Sequence, residues 1–272
     1  MIAFPNCKIN LGLHILQKRT DGFHDLQTVF YPFPLTDALE MVQHNGPDTV
    51  LNVTGILLDT TPQENICYRA WLLLKKDFPG LPVVRMHLHK VIPSGAGLGG
   101  GSADGAFALV LLNKKFRLGL SEEQLSAYAL QLGSDCPFFI LNRPCLAEGR
   151  GEILTRIDID LESYTIVLVY PQVHITTSVA FAKIIPSKNR MQVNEIITKP
   201  VPEWKKLLVN DFEKSIFETY PEIAAIKKTL YDNGAVYASM SGTGSTVYGL
   251  FEKGKELSFD FPDHYLVKSG KE

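Results

Sequence analysis

The feature that most constrains the fold is a glycine-rich segment, PSGAGLGGGS, at residues 93–102. Five glycines fall within seven positions, which is too many for an ordinary hairpin turn. Residues 81–92 before it read as extended chain, and residues 103–113 after it predict a helix. Glycine permits close backbone approach, and a helix N-terminus presents unpaired N–H groups to an anion. The segment predicts a phosphate-binding loop just before a helix, with a tight structural turn as the alternative.

Other nucleotide-binding loops fit this segment less well. Gly95, Gly97 and Gly100 match the dinucleotide fingerprint of nicotinamide and flavin enzymes, but that fingerprint normally lies in the first βαβ unit. Here the loop lies a third of the way along the chain. A Walker A loop is excluded because no Gly-Lys-Ser/Thr follows the glycines, and a protein kinase because His-Arg-Asp and Asp-Phe-Gly are missing. A dehydrogenase remains the weaker alternative.

Length and composition exclude several further classes of protein. The chain has 272 residues, of which 45% are hydrophobic and 21% charged, as in a globular protein of one large or two moderate domains. A net charge of −2 gives no general attraction to nucleic acid or to an anionic membrane. The longest apolar runs are too short to cross a bilayer, and four scattered cysteines predict neither disulfides nor a metal site. We expect a cytoplasmic protein without nucleic-acid or membrane partners.

Capping patterns predict three helices outside the glycine-rich segment. TPQE at 61–64 combines an N-cap, a proline and a glutamate, and predicts a helix that begins after Thr61. SEEQ at 121–124 is a second capping box and predicts a helix to about residue 132. Pro221 opens a third predicted helix, which Gly234 is placed to end.

The second half of the chain is predicted to form a separate domain. Residues 164–170 read as a buried strand, and the polar, proline-flanked residues 186–202 read as a surface connection. We expect an N-terminal domain over residues 1–155, which carries the glycine-rich loop, and a C-terminal domain over residues 156–272, which completes the substrate cleft.

Three segments together resemble the GHMP kinase superfamily: PNCKINL at 5–11, the loop at 93–102 and SMSGTGS at 239–245. Three more, RTDGFHDLQT at 19–28, LGSDCPFF at 132–139 and AEGRGE at 147–152, are similar to the branch that phosphorylates 4-diphosphocytidyl-2-C-methyl-D-erythritol. The resemblance implies the α+β GHMP kinase fold, with an N-terminal ribosomal protein S5 domain 2-like domain, a C-terminal ferredoxin-like domain and the active site between them.

The resemblance also implies the reaction and its catalytic residues. ATP, with Mg²⁺, would phosphorylate the 2-hydroxyl of that compound, in the non-mevalonate (methylerythritol phosphate) route to isopentenyl diphosphate. Phosphoryl transfer needs in-line placement, charge neutralisation and a proton acceptor. Asp135 is the implied acceptor, and the nearby Lys8 would keep it ionised and offset phosphoryl charge. Without the motifs, Asp135 reads as the cap of a helix near Pro137 and Lys8 as an exposed lysine on an edge strand.

The resemblance further implies two groups of binding residues. The implied triphosphate site is Pro93, Ser94, Gly95, Ala96, Gly97, Leu98, Gly99, Gly100, Gly101, Ser102 and Ala103, with Asn65 and Lys90 near the adenine. The implied substrate contacts are Asn10, Phe23, His24, Thr177 and Phe181, with Phe23 stacked on the cytosine. Taken alone, Asn65 reads equally well as a polar residue of a first helical turn, and His24 as a solvent-facing loop residue. Phe23 stands where the family often has tyrosine.

The third motif and the substrate leave alternatives open. SGTGS at 241–245 reads alone as a hairpin turn, whereas in the family it packs against the phosphate loop. Another GHMP kinase, acting on homoserine, mevalonate or a sugar, would share the loop and differ at Phe23, His24 and Phe181. A catalytically inactive nucleotide-binding protein would not need Lys8 and Asp135. No protein ligands for a metal are predicted, and a monomer or weak homodimer is expected.

Overall fold

The computed structural model describes residues 1–270, which form twelve strands and nine helices. The strands are β1 (Ile2–Ala3), β2 (Asn6–Lys18), β3 (His24–Thr36), β4 (Ala38–Gln43), β5 (Val50–Gly55), β6 (Val84–Lys90), β7 (Cys145–Gly149), β8 (Ile153–Arg156), β9 (Tyr164–Tyr170), β10 (Tyr237–Met240), β11 (Val247–Glu252) and β12 (Leu266–Gly270). The helices are α1 (Ile66–Asp77), α2 (Gly100–Phe116), α3 (Glu122–Leu132), α4 (Cys136–Leu141), α5 (Thr177–Phe181), α6 (Val193–Ile196), α7 (Val201–Leu207), α8 (Glu213–Thr219) and α9 (Pro221–Asp232).

The chain divides into two compact units, each made of several segments. Unit 1 comprises Met1–Cys7, Pro34–Ser94 and Gly99–Arg143. Unit 2 comprises Lys8–Phe33, Gly95–Leu98 and the residues from 144 onwards. The glycine-rich segment therefore contributes residues to both units. The domain boundary at residue 155 stays a prediction.

Unit 1 packs helices against one face of a sheet in the order β1-β4-β6-β5. Only the β5–β6 pair is parallel; β1–β4 and β4–β6 are antiparallel. Along β6 every second side chain is buried, beginning with Val84 and ending with Lys90. This alternation turns Lys90 toward the same interior as Met86 and Leu88, because side chains of a strand point alternately to its two faces.

Unit 2 contains two sheets and a second apolar core. One sheet has the order β10-β11-β9-β12 with antiparallel pairing throughout, and the other has the order β2-β3-β7-β8. The core joins residues of β2, β9 and β11 to the apolar face of α9, which is formed by Ile223, Ile226 and Leu230. This arrangement confirms the predicted strand at 164–170 and the predicted helix from Pro221.

The predicted capping boxes had different outcomes. At Ser121 the box forms as expected, with the Ser121 side chain accepting from the Gln124 N–H, and α3 ends at Leu132. At Thr61 the predicted helix start is wrong. The Thr61 N–H and hydroxyl do donate to the Glu64 carboxylate, but this closes a turn, and α1 begins at Ile66 with Asn65 as its N-cap.

Two other predicted boundaries also need correction. Helix α2 begins at Gly100, inside the glycine-rich segment rather than after it. Residues 186–202 are not merely a surface connection, because they include α6, whose Val193 and Ile196 are almost fully buried. The backbone N–H of Val193 donates to the side chain of Gln27 at 2.6 Å, which fixes this segment inside unit 2.

His14 of β2 is a buried histidine of unit 2. Only 1% of its surface is exposed, and neither ring nitrogen has a hydrogen-bond partner among the described residues. Burial, reinforced by the charge of Arg190 and opposed by that of Asp211, lowers the pKa of His14 to about 4. At neutral pH the imidazole is therefore uncharged.

All four cysteines are buried thiols, and none of them forms a disulfide. Across residues 1–270, none of the helices combines the length and the apolar character that crossing a membrane requires.

Candidate functional site

Lys8 lies near the start of β2, in unit 2, and only 4% of its surface is exposed. Its Nζ donates to the side-chain oxygen of Asn10 at 2.5 Å and lies 3.5 Å from the carbonyl oxygen of Gly97. It also lies 4.7 Å from the centre of the Phe30 ring. The alternative of an exposed edge-strand lysine is therefore wrong. These contacts hold the ammonium beside the part of the glycine-rich segment that belongs to unit 2.

Asn10 is buried and hydrogen-bonded at both ends of its side-chain amide. Its oxygen accepts from Lys8, and its NH₂ group donates to the hydroxyl of Thr28 at 3.1 Å. That hydroxyl donates to the carbonyl oxygen of Gly12 at 2.5 Å, and the Asn10 backbone N–H donates to Oγ of Ser241 at 3.1 Å. Asn10 thus orients Lys8 within unit 2, and its contact with substrate stays a prediction.

Within residues 95–98 the backbone has the form of an anion-binding loop. Gly95 and Gly97 have φ values of +67° and +77°, whereas Ala96 and Leu98 do not have positive φ. Such alternation turns successive N–H groups toward one side of the chain, where they can receive an anion. A Cβ at Gly97 would lie 2.0 Å from the carbonyl oxygen of Ser241, so no larger residue fits there.

The third motif forms the turn between β10 and β11 and also contacts this loop. The Ser241 hydroxyl donates to the carbonyl oxygen of Gly97 at 2.8 Å, and the Thr246 N–H donates to that of Ala96 at 3.3 Å. Asn210 supports the turn from behind, since its NH₂ group donates to the carbonyl oxygens of Met240 and Gly242, each at 2.8 Å. The motif is therefore both a hairpin turn and a support for the loop.

His24 and Phe181, two predicted substrate contacts, meet in unit 2. Their rings stack with centres 4.8 Å apart and an interplanar angle of 27°. Phe181 also meets the edge of Phe212, again at 4.8 Å. Burial and the nearby charge of Lys18 lower the pKa of His24, so its imidazole favours the neutral form. The half-buried His24 is not the solvent-facing residue of the alternative interpretation.

Phe23 and Thr177, the other predicted substrate contacts of unit 2, are exposed. The Phe23 ring is 53% exposed, and the guanidinium of Arg150 lies 5.0 Å from its centre. Thr177 is the first residue of α5, whereas Thr176 caps that helix by accepting from the Val179 N–H. Arg150 therefore brings a positive charge to the predicted cytidine-binding ring, a role that the sequence analysis did not assign.

Asp135 lies in unit 1, immediately before α4, and is half-buried. Its side chain makes no capping hydrogen bond, so the alternative of a helix-capping aspartate is wrong. Burial raises the pKa of the adjacent Cys136 thiol to about 11; a hydrogen bond with Ser102 lowers it in part, and the charge of Asp135 raises it. Unit 1 therefore brings the segment of Asp135 next to Ser102, at the start of α2.

The start of α2 gives unit 1 its own anion-binding group. Gly99 is the N-cap, with φ of +69° and no side-chain cap, and the Ala103 N–H donates to its carbonyl oxygen at 2.9 Å. The N–H groups of Gly100, Gly101 and Ser102 precede this first helical hydrogen bond, as expected where a helix receives phosphate. Pro93 and Ser94 lead from β6 into the glycines, and Ser94 is exposed.

Asn65 and Lys90, the predicted adenine contacts, are both buried in unit 1. The Asn65 oxygen accepts from the Cys67 N–H at 2.9 Å, and this bond caps α1. The Lys90 Nζ donates to the carboxylates of Asp37 and Asp104, and 1% of the lysine side chain is exposed. The ammonium is therefore enclosed by unit 1, and contact of either residue with ATP stays a prediction.

Family models match both halves of the chain. The model described as GHMP kinases N terminal domain matches residues 65–143, and that described as GHMP kinases C terminal matches residues 195–259, together more than half of the chain. The chain belongs to the GHMP kinase family. It also belongs to the branch of 4-diphosphocytidyl-2-C-methyl-D-erythritol kinases, because curated proteins of that name are 36% to 52% identical to it over 90% or more of its length.

One such relative is the 4-diphosphocytidyl-2-C-methyl-D-erythritol kinase of Bacteroides fragilis, 52% identical over 95% of this chain and 94% of the relative. The protein of the same name from Chlorobium limicola is 36% identical over 90% and 86%. A crystal structure of 4-(cytidine 5'-diphospho)-2C-methyl-D-erythritol kinase superposes with a TM-score of 0.79 at 31% identity, covering 92% of this chain and 90% of that one. A mevalonate kinase structure, with a TM-score of 0.72 and 13% identity over 99% and 98%, shares the GHMP kinase fold alone.

Sequence reasoning missed the residues that support this GHMP kinase site from behind. Asp37 and Asp104 surround Lys90, and Asn210 holds the third motif. The burial of Lys90 could have been predicted from the sequence, because Lys90 continues the alternation of Val84, Met86 and Leu88 along the strand. For Asp37 and Asp104 the signal was weaker: a carboxylate beside apolar residues needs a buried partner, which sequence alone does not identify.

Proposed function

We propose that this GHMP kinase transfers the γ-phosphoryl group of ATP to the 2-hydroxyl of 4-diphosphocytidyl-2-C-methyl-D-erythritol and releases the 2-phosphate and ADP. The observation that carries the substrate is the likeness, over nearly the whole chain, to curated kinases of that name. The proposal places the enzyme in the non-mevalonate route to isopentenyl diphosphate. We expect it to act in the cytoplasm as a monomer or weak homodimer.

The backbone of residues 95–101 binds the triphosphate in this proposal. Positive φ at Gly95 and Gly97 and the N-terminus of α2 at Gly100 support it. Adenine lies near Asn65, whose side-chain oxygen already caps α1, so its NH₂ group is the part that contacts the base. Ser102 belongs to the first turn of α2 and directly follows this phosphate-binding backbone in the chain.

Mg²⁺ is part of the proposal as the ion that ATP carries on its phosphate oxygens. Among residues 1–270 no three histidine, cysteine or acidic side chains are grouped to hold a metal ion. In this proposal Mg²⁺ would be held mainly by phosphate oxygens and water. The Ser102 hydroxyl, in the first turn of α2, would be the protein group offered to it. When bound, Mg²⁺ supplies neutralisation of phosphate charge.

Asp135 accepts the proton of the attacking 2-hydroxyl, and Lys8 stabilises the charge of the transferring phosphoryl group. Asp135 is half-buried beside the start of α2, and a carboxylate within reach of the attacking hydroxyl can serve as its general base. Lys8 is already oriented by Asn10 beside the carbonyl of Gly97, which fits electrostatic stabilisation by a group that does not need to reorganise.

The cytosine ring binds at the aromatic residues of unit 2. Phe23 offers an exposed ring face with Arg150 beside it, and His24 is held by its stack on Phe181. A pyrimidine can stack on the ring of Phe23, while the neutral imidazole of His24 can both donate and accept hydrogen bonds at its polar edge. Asn10 and Thr177 stay proposed contacts with the remainder of the substrate.

An acceptor-specificity assay tests this function. Purified protein is supplied with Mg²⁺ and ATP, and ADP release is measured with 4-diphosphocytidyl-2-C-methyl-D-erythritol, homoserine, mevalonate or galactose. We expect turnover with the cytidyl compound alone and a loss of roughly 100-fold or more in Asp135→Asn. Turnover with another acceptor would retain the kinase and reject the cytidine pocket. Absence of turnover with all four would favour a catalytically inactive nucleotide-binding protein.

A further inference from the structure

Three charged side chains of unit 1 form a buried cluster, which we call the Lys90 network: Asp37, Lys90 and Asp104. Nζ of Lys90 donates to Oδ2 of Asp37 and, at 2.8 Å, to Oδ2 of Asp104. The three side chains are between 0% and 2% exposed. The ammonium therefore lies under the protein surface rather than on it.

The Lys90 network fixes the chain on the strand side of the glycine-rich segment. Oδ1 of Asp37 accepts the backbone N–H of Val91 at 2.6 Å and that of Ile92 at 2.9 Å. These two residues connect β6 to Pro93. A single carboxylate thus holds the lysine and sets the direction in which the backbone leaves β6.

The same network supports the start of α2. Asp104 lies in the second turn of this helix and accepts from Lys90. A Cβ at Gly100 would lie 2.6 Å from Cγ2 of Ile92 and 3.5 Å from Nζ of Lys90. The first residue of α2 therefore rests on Ile92 and the lysine, and a larger residue there would push the helix start away.

Asp104 also connects α2 to the start of α1. The Cys67 thiol approaches the Asp104 carbonyl oxygen at 3.6 Å, and the Cys67 N–H is the group that Asn65 caps. A Cβ at Gly105 would lie 2.7 Å from the side chain of Ile66, so the second turn of α2 touches the first turn of α1. The proposed adenine and phosphate contacts of unit 1 thus share one buried support.

The charge of the network argues against a direct electrostatic role for Lys90. Two carboxylates and one ammonium leave at most one net negative charge, which does not attract a triphosphate. Burial and the charge of Asp37 raise the pKa of Asp104 to about 7 although Lys90 opposes them. A buried ion network also adds little stability compared with well-packed apolar residues. What this network does provide is fixed geometry.

We infer that Asp37, Lys90 and Asp104 are positioning residues, which hold the end of β6 and the start of α2 in the conformation that binds the ATP phosphates, without touching ATP. This inference rests on the proposed function only in that the glycine-rich segment binds ATP. It replaces the predicted contact between Lys90 and adenine.

The decisive variant is Asp104→Asn, which keeps the shape of the side chain but can no longer carry a negative charge. If the network positions the loop, the Kd for a non-hydrolysable ATP analogue and the KM for ATP rise roughly tenfold, while kcat changes less than about twofold. If Lys90 instead attracts ATP by its charge, removal of a neighbouring carboxylate would tighten ATP binding. An unchanged or lower Kd would overturn the inference.

Val84→Ala is the matched control, because it weakens the buried face of the same strand far from the loop. Both variants are assayed well below their unfolding temperatures. Val84→Ala should leave the Kd for the analogue within about twofold of the unchanged protein. An equal rise in both variants would show that general destabilisation is responsible, and the inference would be rejected.

Hydrogen exchange on the unchanged protein gives a test that needs no variant. Without ATP, the backbone amides of Val91 and Ile92 should exchange about as slowly as those of β6, because Asp37 already holds them. Fast exchange that slows only when the analogue binds would contradict a preset loop. Hydrogen exchange and the Kd for the analogue do not depend on the acceptor, so a failed acceptor assay would reject the proposed substrate and leave this inference standing.

Discussion

Lys8 and Lys90 are both almost wholly buried, yet they lie against different parts of the glycine-rich segment. Lys90 of unit 1 donates to two carboxylates, which in turn hold the backbone and the neighbouring helix. Lys8 of unit 2 donates to the amide oxygen of Asn10, a group without charge. The contacts of Lys90 fix the backbone that leads into the segment, whereas those of Lys8 hold its ammonium beside the carbonyl oxygen of Gly97. Burial alone therefore does not distinguish a lysine that positions the backbone from one that is proposed to act in catalysis.

The largest expected effect is on catalysis by Lys8. We expect Lys8→Met to lower kcat roughly 100- to 1,000-fold, because the charge that stabilises the transferring phosphoryl group is lost. Affinity for an ATP analogue should change much less. Steady-state kinetics and analogue binding measure the two quantities. Lys228→Met, at an exposed position, is the control with normal kcat; a Lys8 variant with normal kcat would remove the contrast between the two lysines.

A second prediction concerns stability and addresses Lys90. Lys90→Met should lower the free energy of unfolding by about 3–5 kcal/mol, since two buried carboxylates lose their cation. Adding Asp37→Asn and Asp104→Asn to Lys90→Met should recover part of this loss. Urea denaturation of the single and triple variants checks both statements. A loss below about 1 kcal/mol in the single variant would mean that Lys90 is not the structural member of the pair.

The third prediction concerns pH and compares buried groups of the two units. Because burial depresses the pKa of His14, its neutral form stabilises the fold above about pH 6.5, and this stabilisation is lost as pH falls toward 4. The shift corresponds to about 3 kcal/mol. We expect the free energy of unfolding of His14→Leu to fall less over this interval than that of the unchanged protein.

Asp104 should change the pH dependence of the free energy of unfolding in the opposite direction to His14, over an overlapping pH interval. Its pKa is raised, so the folded state binds a proton between about pH 4 and 7, and stability due to this group falls as pH rises. Removal of the group in Asp104→Asn should therefore steepen the loss of stability in acid. Denaturation at pH 7, 5.5 and 4 measures how the free energy of unfolding changes with pH. If His14→Leu and Asp104→Asn both showed the same change as the unchanged protein, the two pKa assignments would be contradicted.

The smallest effect is expected at Asn10. Asn10→Ala should lower kcat roughly tenfold, because Lys8 loses the hydrogen bond that orients it. If Asn10 instead contacts the substrate, as the family resemblance implies, the KM for the acceptor should rise. Initial-rate kinetics separate the two. Thr28→Val, one step further from the lysine, should show a smaller decrease in kcat than Asn10→Ala.

Local patterns predicted those parts of the fold that are stabilised locally. The capping box at Ser121 and the apolar face of the helix from Pro221 need only neighbouring residues, and both were predicted correctly. The box at Thr61 also forms, but the helix starts at Ile66, where Asn65 can cap it and Ile66 can pack on α2. Position in the packed core, rather than the local pattern, decided that boundary.

The supports of the candidate site depend on contacts between distant residues. Asp37 and Lys90 are 53 positions apart, and Asn10 and Tyr248, joined through the tyrosine hydroxyl, are 238 apart. Sequence motifs identified the residues proposed to meet the reactants. They did not identify the residues that support these site residues, because the tertiary fold determines which distant residue becomes a buried partner.

The distribution of the two units along the chain has a consequence for synthesis on the ribosome. All segments of unit 1 have been translated by residue 143, whereas β12 of unit 2 ends at Gly270. At roughly 5–20 residues per second, some 6 to 25 seconds separate these two points. For most of that interval the strand that carries Lys8 exists without β10 and β11. A nascent chain can thus complete unit 1 before the residues that surround Lys8 in unit 2 have all been synthesised.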